Sequence, residues 1–277
     1  MKKGDRVKKS DGVKDYYSRW SGEEERLYKE PANIVERLRT ESILKRHMPK
    51  APAVIYDVGG GAGVYAFPLT KQGYSVHLID LTPLHIEQAK ERIKKTGVRL
   101  ASVSVGDARE LKVEDSVADV VLYLGPLYHL QEKEDRDKAL QEAYRILKPG
   151  GVLLAAGISR FAPFIHFVQM NQLGKKGISK LLEEGLVVGK QDIPLGEQGI
   201  FSIYCHLPDE LAKELARANF KDVKLLGIEG PCWGFSSLKE IIEDKKSLEI
   251  FLCLLEKMEA ETSLIGASDH IMAIGRK

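Results

Sequence analysis

The stretch that most constrains this chain runs from Val54 to Gly63, VIYDVGGGAG: an apolar run, an acid near its end, then glycines at alternate positions. Val54, Ile55, Tyr56 and Val58 are strand formers, and so few polar residues suit a strand buried on both faces. Gly59, Gly61 and Gly63 permit backbone conformations that a Cβ would forbid. Such a turn lets a ligand lie against the main chain and the N-terminus of the next helix. Asp57 stands two residues before the first glycine, at the expected carboxyl end of the strand, where open α/β sheets bind ligands.

The chain on either side repeats that pattern. Strands are expected at 75–80, 100–105, 119–124 and 152–158. Helices are expected at 64–72, from Pro83 to a close at Gly97, and along the stripe Ala139, Leu140, Ala143, Ile146 and Leu147, which stops at Lys148-Pro149-Gly150-Gly151. Pro68 lacks an amide and predicts a kink or a short first turn. Strands alternating with helices indicate βαβ units and a parallel sheet. Ahead of them, Asn33 to Met48 reads as a helix with Ile34, Val35, Leu38, Leu44 and Met48 near one face. Arg37, Arg39, Lys45 and Arg46 fall near the other.

After residue 158 the rhythm breaks. Residues 159–206 hold an apolar helical stripe (Phe161, Phe164, Ile165, Val168) and then scattered glycines. An elaboration placed after a strand's carboxyl end lies on the ligand side, so this segment reads as a cap inserted after strand five. A helix from Pro208, a strand at 223–228, helices from Leu238 to about Glu261 and a strand at 270–275 complete the chain. The expected division is an N-terminal arm with helices (1–52), a core (53–158 and 207–277) and the insertion (159–206).

Bulk properties narrow the function classes. A chain of 277 residues with net charge +2 is too balanced for a dedicated nucleic-acid binder. The cysteines Cys205, Cys232 and Cys253 are too far apart for a CxxC site and read as free thiols in a reducing cytosol. No apolar run approaches the roughly 18 residues of a membrane span. The opening MKKGDRVKKS has no apolar core after its basic residues and does not read as a secretory signal. A cytoplasmic protein is expected, monomeric or homodimeric, with a small-molecule partner and neither a nucleic-acid nor a membrane partner. Tyr16, Tyr17, Trp20 and Tyr28 suggest an arm that either folds over a cofactor or docks on the core.

Three acids stand at or just past the ends of the first three strands: Asp57, Asp80 and Asp107. In a parallel sheet these ends share one edge and line one groove. Asp80 follows the glycine loop by about 20 residues, the distance at which a carboxylate takes both hydroxyls of a ribose. Asp107, between Gly106 and Ala108, is placed to accept from an exocyclic amine. Together they fit an adenosyl cofactor. A dinucleotide brings a pyrophosphate and prefers a bare helix N-terminus. An acid beside the loop repels a pyrophosphate but suits the cationic methionine end of S-adenosyl-L-methionine. Gly61-Ala62-Gly63-Val64-Tyr65-Ala66 also satisfies the looser dinucleotide fingerprint, so an NAD(P)-dependent oxidoreductase stands as an alternative.

Asp57-Val58-Gly59-Gly60-Gly61-Ala62-Gly63 resembles motif I of class I S-adenosylmethionine-dependent methyltransferases. Asp80 resembles their ribose-binding acid, Gly106-Asp107-Ala108 their adenine-side motif, and Leu147-Lys148-Pro149-Gly150-Gly151 the turn before their fifth strand. The wording VGGGAGVYAF, LGPLYHL, EGP and LIGASDH is similar to bacterial members with unassigned small-molecule substrates. The resemblance implies a Rossmann-like, doubly wound seven-stranded sheet, order 3-2-1-4-5-7-6, with the last strand antiparallel. It implies cofactor contacts from Asp57, Gly59, Gly61, Gly63, Asp80, Leu81, Asp107, Ala108 and Leu124, and from Tyr16 and Tyr17 in the arm.

The residues after strand four bear on the acceptor. Leu124-Gly125-Pro126-Leu127-Tyr128 lacks the amide or acid with which base N-methylating enzymes hold an exocyclic amine. It also lacks the clustered acids of metal-dependent members, so no metal is expected. The expectation is methyl transfer to O or N of a small molecule, giving S-adenosyl-L-homocysteine. A catalytically silent cofactor-binding protein is the further alternative. Candidate bases are His129, just past strand four, His166 in the insertion, and His206 where it rejoins the core. Tyr128, Arg160, Tyr204 and Trp233 are the candidate substrate contacts.

Overall fold

The structure, a computed structural model, describes residues 23–169, 171, 182–188 and 202–277. Tyr16, Tyr17 and Trp20 lie outside the described residues. Two helices, α1 (Glu23–Lys29) and α2 (Pro31–His47), lead into β1 (Val54–Val58). Then follow α3 (Ala66–Lys71), β2 (Ser75–Asp80), α4 (Pro83–Thr96), β3 (Ser102–Val105), β4 (Ala118–Tyr123), the single turn α5 (Pro126–His129), α6 (Lys133–Ile146) and β5 (Leu147–Ser159). Next come α7 (Ala162–Gln169), the short β6 (Leu186–Val188) and β7 (Ser202–His206), and α8 (Pro208–Arg217). The chain ends with β8 (Lys221–Gly227), α9 (Leu238–Glu243), α10 (Lys245–Met258), α11 (Thr262–Ile265) and β9 (His270–Arg276).

The main sheet runs β3-β2-β1-β4-β5-β9-β8, parallel from β3 to β5, with β9 antiparallel to both its neighbours. With the seven core strands numbered in chain order this is 3-2-1-4-5-7-6, as expected. The strands alternate as period 2 demands. Val121 and Tyr123 face a core built with Leu140 and Ala143 of α6 and Leu211 and Leu215 of α8. Val120 and Leu122 face the opposite core, with Ile43, Leu44, Phe67 and Ile86. Burial on both faces is why β1 and β4 read as near-continuous apolar runs.

Some local expectations shift. The helix after the glycines begins at Ala66, which puts Pro68 in its first turn, where no amide bond is lost. β5 starts at Leu147, directly from α6, so the Lys148–Gly151 turn ends the helix while the strand begins through it. Arg39, expected on the polar face of α2, is fully buried. Its Nε donates to the Ile228 carbonyl at 3.2 Å and its guanidinium pairs with Glu259. A buried cation needs a paired anion, and Glu259 comes from beyond α10, far along the chain.

Of the expected insertion, α7 and the antiparallel β6–β7 pair are described, and β7 joins the far end of β5 through Ile158↔Cys205 and Ser159↔His206. No helix among the described residues is long and apolar enough to cross a membrane.

Candidate functional site

The parallel strands end on one edge. β9 runs the other way and therefore begins there, and β8, parallel to β5, also ends there. An open cleft of about 1530 Å³, part of it solvent at the mouth, follows this edge from Asp107 beyond β3 to His270 at the start of β9.

At its centre the glycine loop turns with Gly59, Gly61 and Gly63 at φ of 72°, 58° and 87°. Non-glycine residues avoid these values because Cβ meets the carbonyl. The loop also presses on the core. A Cβ on Gly60 would lie 2.5 Å from the Asp57 carboxyl and 2.6 Å from Leu78, whereas one on Gly61 would meet only His85, at 3.9 Å. Gly61 therefore marks where a ligand can reach the main chain.

Asp57 lies under this loop, wholly buried, and neither carboxylate oxygen has a hydrogen-bond partner among the described residues. Burial, with the charge of Asp80 second, pushes its pKa up to about 7. Asp80 is also buried but well supplied with donors. Gly61 N gives to Oδ2 at 2.8 Å, Thr82 N to Oδ1 at 2.8 Å, and His85 Nδ1 lies 3.1 Å from Oδ1. Burial alone would raise the Asp80 pKa; the His85 bond and charge and the two amides bring it below the usual value. Asp107 is tied to Arg109, whose Nη2 lies 2.7 Å from Oδ2, and Arg109 reaches Asp135 at 2.8 Å. Asp107 thus lines the cleft as half of an ion pair, which the sequence reading did not include.

The expected residues Gly59, Gly61, Leu81, Ala108, Leu124, Tyr128 and His129 line the cleft with the three acids. Gly63 makes the turn behind them, its amide donating to the Gly60 carbonyl at 2.9 Å. The Tyr128 hydroxyl donates to the Leu124 carbonyl at 3.3 Å. Burial pushes the His129 pKa down to about 4, against a smaller opposing pull from Asp80, so its ring is neutral at pH 7.

The other candidates are elsewhere. His206 is fully buried, its Nε2 3.2 Å from Glu214. Arg160 bonds to Glu210 at 3.0 Å and to the Cys205 carbonyl at 3.2 Å. Tyr204 bonds to Glu210 and lies under the Arg136 guanidinium, 3.7 Å from ring centre to Cζ. His166 is half-exposed with Nε2 3.5 Å from Asp269, and Trp233 donates from Nε1 to the Ala267 carbonyl at 2.7 Å. None of these lines the cleft, nor does any other described residue between 159 and 206.

The end nearest β9 contains residues that the sequence reading missed. Arg26 and Glu36 from the two leading helices form a bidentate pair, 2.7 and 3.0 Å. His270 Nδ1 lies 2.5 Å from Glu229 and 3.9 Å from Glu36. Glu229 also accepts from Ser268 Oγ at 2.9 Å and from the His270 amide at 3.0 Å. Burial opposes a charged His270, but Glu36 and Glu229 outweigh it and push its pKa up to about 9. Glu36, Glu229 and His270 offer ligand atoms within 4.8 Å of one another. Arg26 takes both Glu36 oxygens, however, and the His270 Nδ1 position is already bonded, so the group stands as an ion-pair network. The only sequence signal was Glu36, an acid directly after the buried Val35.

Residues 56–155 match the family model described as a methyltransferase domain. A ubiquinone/menaquinone biosynthesis C-methyltransferase, UbiE, of Zymomonas mobilis is 32% identical over 120 residues, 42% of this chain and 47% of that protein. The chain spans about half the length of such curated relatives. An S-adenosylmethionine-dependent methyltransferase from Methanosarcina mazei superposes with a TM-score of 0.57 at 20% identity, covering 85% of this chain and 96% of that one. A phosphoethanolamine N-methyltransferase from Haemonchus contortus, crystallised with phosphomonomethylethanolamine and S-adenosylhomocysteine, gives 0.58 at 17% identity, over 95% of this chain and 59% of that one. The strand order is that of this fold. Residues 56–155 form a methyltransferase domain, and the chain has the fold of the S-adenosylmethionine-dependent class.

Proposed function

We propose that this protein transfers a methyl group from S-adenosylmethionine to an oxygen or nitrogen of a small molecule, without a metal. The observation that carries the reading is Asp57. A buried carboxylate with no partner is costly, and one facing a ligand cleft beneath a glycine loop suits a cationic ligand. The cofactor supplies an electrophilic methyl group on a positively charged sulfur. A pyrophosphate in the same place would meet the Asp57 charge, which disfavours the nicotinamide alternative.

In this reading Asp80 accepts from a ribose hydroxyl with the acceptor position that Gly61, Thr82 and His85 leave, since a carboxylate offers about four. The Asp107–Arg109 pair and Ala108 border the adenine end. Leu81 and Leu124 supply apolar contact. Neutral His129 stands at the cleft wall as one candidate base, and most of the rate comes from alignment in a site closed from water. Arg26, Leu27, Glu36 and Thr40 line the cleft, which supports residues 1–52 as partly a lid over the core of 53–158 and 207–277. Residues 159–206 are the insertion after strand five.

Isothermal titration with S-adenosylmethionine, followed by transfer of labelled methyl to the small molecules of a cell extract, tests the reading. Micromolar binding and a labelled product are expected; absence of binding overturns it.

A further inference from the structure

Neighbouring strands lie about 4.8 Å apart, so the five steps from β3 to β9 extend the cleft about 24 Å along the sheet edge. Asp107, Asp80 and Asp57 border its first part, over β3, β2 and β1. The stretch over β5 and β9 belongs to the same cleft but is lined by different chemistry. Its walls are apolar at Leu27, Ala156, Ile228 and Met272, and its charged groups are Arg26, Glu36 and His270. Glu229 stands behind His270, outside the lining, and holds the ring through Nδ1 at 2.5 Å.

We propose that Glu36 and His270 form the acceptor subsite, and that it takes a weakly acidic hydroxyl carried on an apolar body, as in a phenol. This rests on the methyl-transfer reading above and names its acceptor class. Three features support it. Each Glu36 oxygen accepts one bond from Arg26 and keeps a second lone pair for an incoming O–H. Of the charged groups lining this end two are cations, and Glu229 behind His270 brings the set to neutral, so hydrogen-bond donors without a net field face an incoming oxygen. The Glu229 bond fixes the His270 ring, and with Glu36 keeps it charged, the arrangement that makes an imidazole an oriented donor.

In the transfer, the acceptor O–H bond breaks and its proton passes to Glu36 and then to water. The oxygen electron pair forms the new O–CH3 bond, and the electrons of the broken S–CH3 bond stay on sulfur. Arg26 and His270 offset the charge developing on oxygen.

The test uses the protein saturated with S-adenosylhomocysteine, with phenol and benzylamine as probes, read by ligand-observed NMR. Phenol is expected to bind at least tenfold more tightly than benzylamine. Glu36→Gln and His270→Asn should each weaken phenol at least tenfold while leaving S-adenosylhomocysteine affinity unchanged. Thermal melts check folding; where Glu36→Gln, which weakens the Arg26 pair, fails to fold, His270→Asn decides. Undiminished phenol binding in a folded variant, a preference for benzylamine, or no phenol binding overturns the subsite. A wild-type protein that binds neither S-adenosylmethionine nor S-adenosylhomocysteine fails the earlier reading instead, and removes this end of the cleft as an acceptor site with it.

Discussion

The backbone amide of Gly61 donates to Oδ2 of Asp80 at 2.8 Å, so the glycine loop is tied directly to the acid that ends the second strand. Nineteen positions apart in the chain, they meet because β1 and β2 pair in parallel register, Val58 opposite Ile79. The acid shapes the loop as well as lining the cleft.

Asp80→Ala therefore removes the proposed ribose acceptor and leaves Gly61 N and Thr82 N without their partner. We expect affinity for S-adenosylmethionine to fall by roughly 10- to 100-fold, from about 1–3 kcal/mol per lost charged acceptor. Titration calorimetry measures it, and wild-type affinity would remove Asp80 from the site.

Gly60→Ala places a Cβ 2.5 Å from the Asp57 carboxyl and 2.6 Å from Leu78. Neither neighbour can yield, because both are buried under the loop, and a loss of about 1–3 kcal/mol is expected in urea unfolding. Gly150→Ala, whose added carbon meets nothing within 4 Å though its φ is 81°, should cost only the conformational share, about 1 kcal/mol.

The raised pKa of Asp57 makes stability depend on pH. Unfolded, this acid ionises near pH 4; folded, its pKa is about 7. Between those values the folded state holds a proton that the unfolded state has released, so stability falls as pH rises from 4 to 7. Asp57→Asn should abolish that decline and gain up to roughly 4 kcal/mol above pH 7, while losing cofactor affinity. In the wild type, cofactor affinity should rise through pH 7 as the carboxylate ionises. Melts and titrations across pH 5 to 8 check both slopes; a flat wild-type profile refutes the assignment.

Arg136 and Glu214 form a buried pair at 2.8 Å, with His206 Nε2 3.2 Å from Glu214. Glu214→Gln strands a buried guanidinium and should cost about 3–5 kcal/mol, whereas the double replacement Arg136→Met, Glu214→Leu should recover most of it. Burial would raise the Glu214 pKa, but the bonds from His206 and Arg136 lower it to about 2. Its contribution is complete above pH 4.5 and fades as pH falls toward 2, so Glu214→Gln should flatten the acid limb of the wild-type unfolding curve.

Local chemistry made much of this molecule legible. The alternation of apolar strands and amphipathic helices predicted the parallel sheet, and the resemblance carried by Asp57–Gly63, Asp80 and Gly106–Ala108 implied the strand order that is observed. His129 was placed beside the cleft from its position just past β4 alone. His166, His206, Arg160, Tyr204 and Trp233 had the right residue types, but tertiary partners claim each of them: Asp269, Glu214, Glu210, Arg136 and the Ala267 carbonyl.

The chain by itself determined the cofactor end, because a glycine loop, an acid and a strand end are neighbours in sequence or one βαβ unit apart. Only the tertiary structure decided the other end. Glu36 comes from a helix ahead of the sheet, Glu229 from the loop after β8, and His270 from the last strand. No spacing rule joins them; the antiparallel entry of β9 beside β5 does. That reversal brings the start of the last strand to the edge where the parallel strands finish, and a histidine there meets two carboxylates from distant parts of the chain.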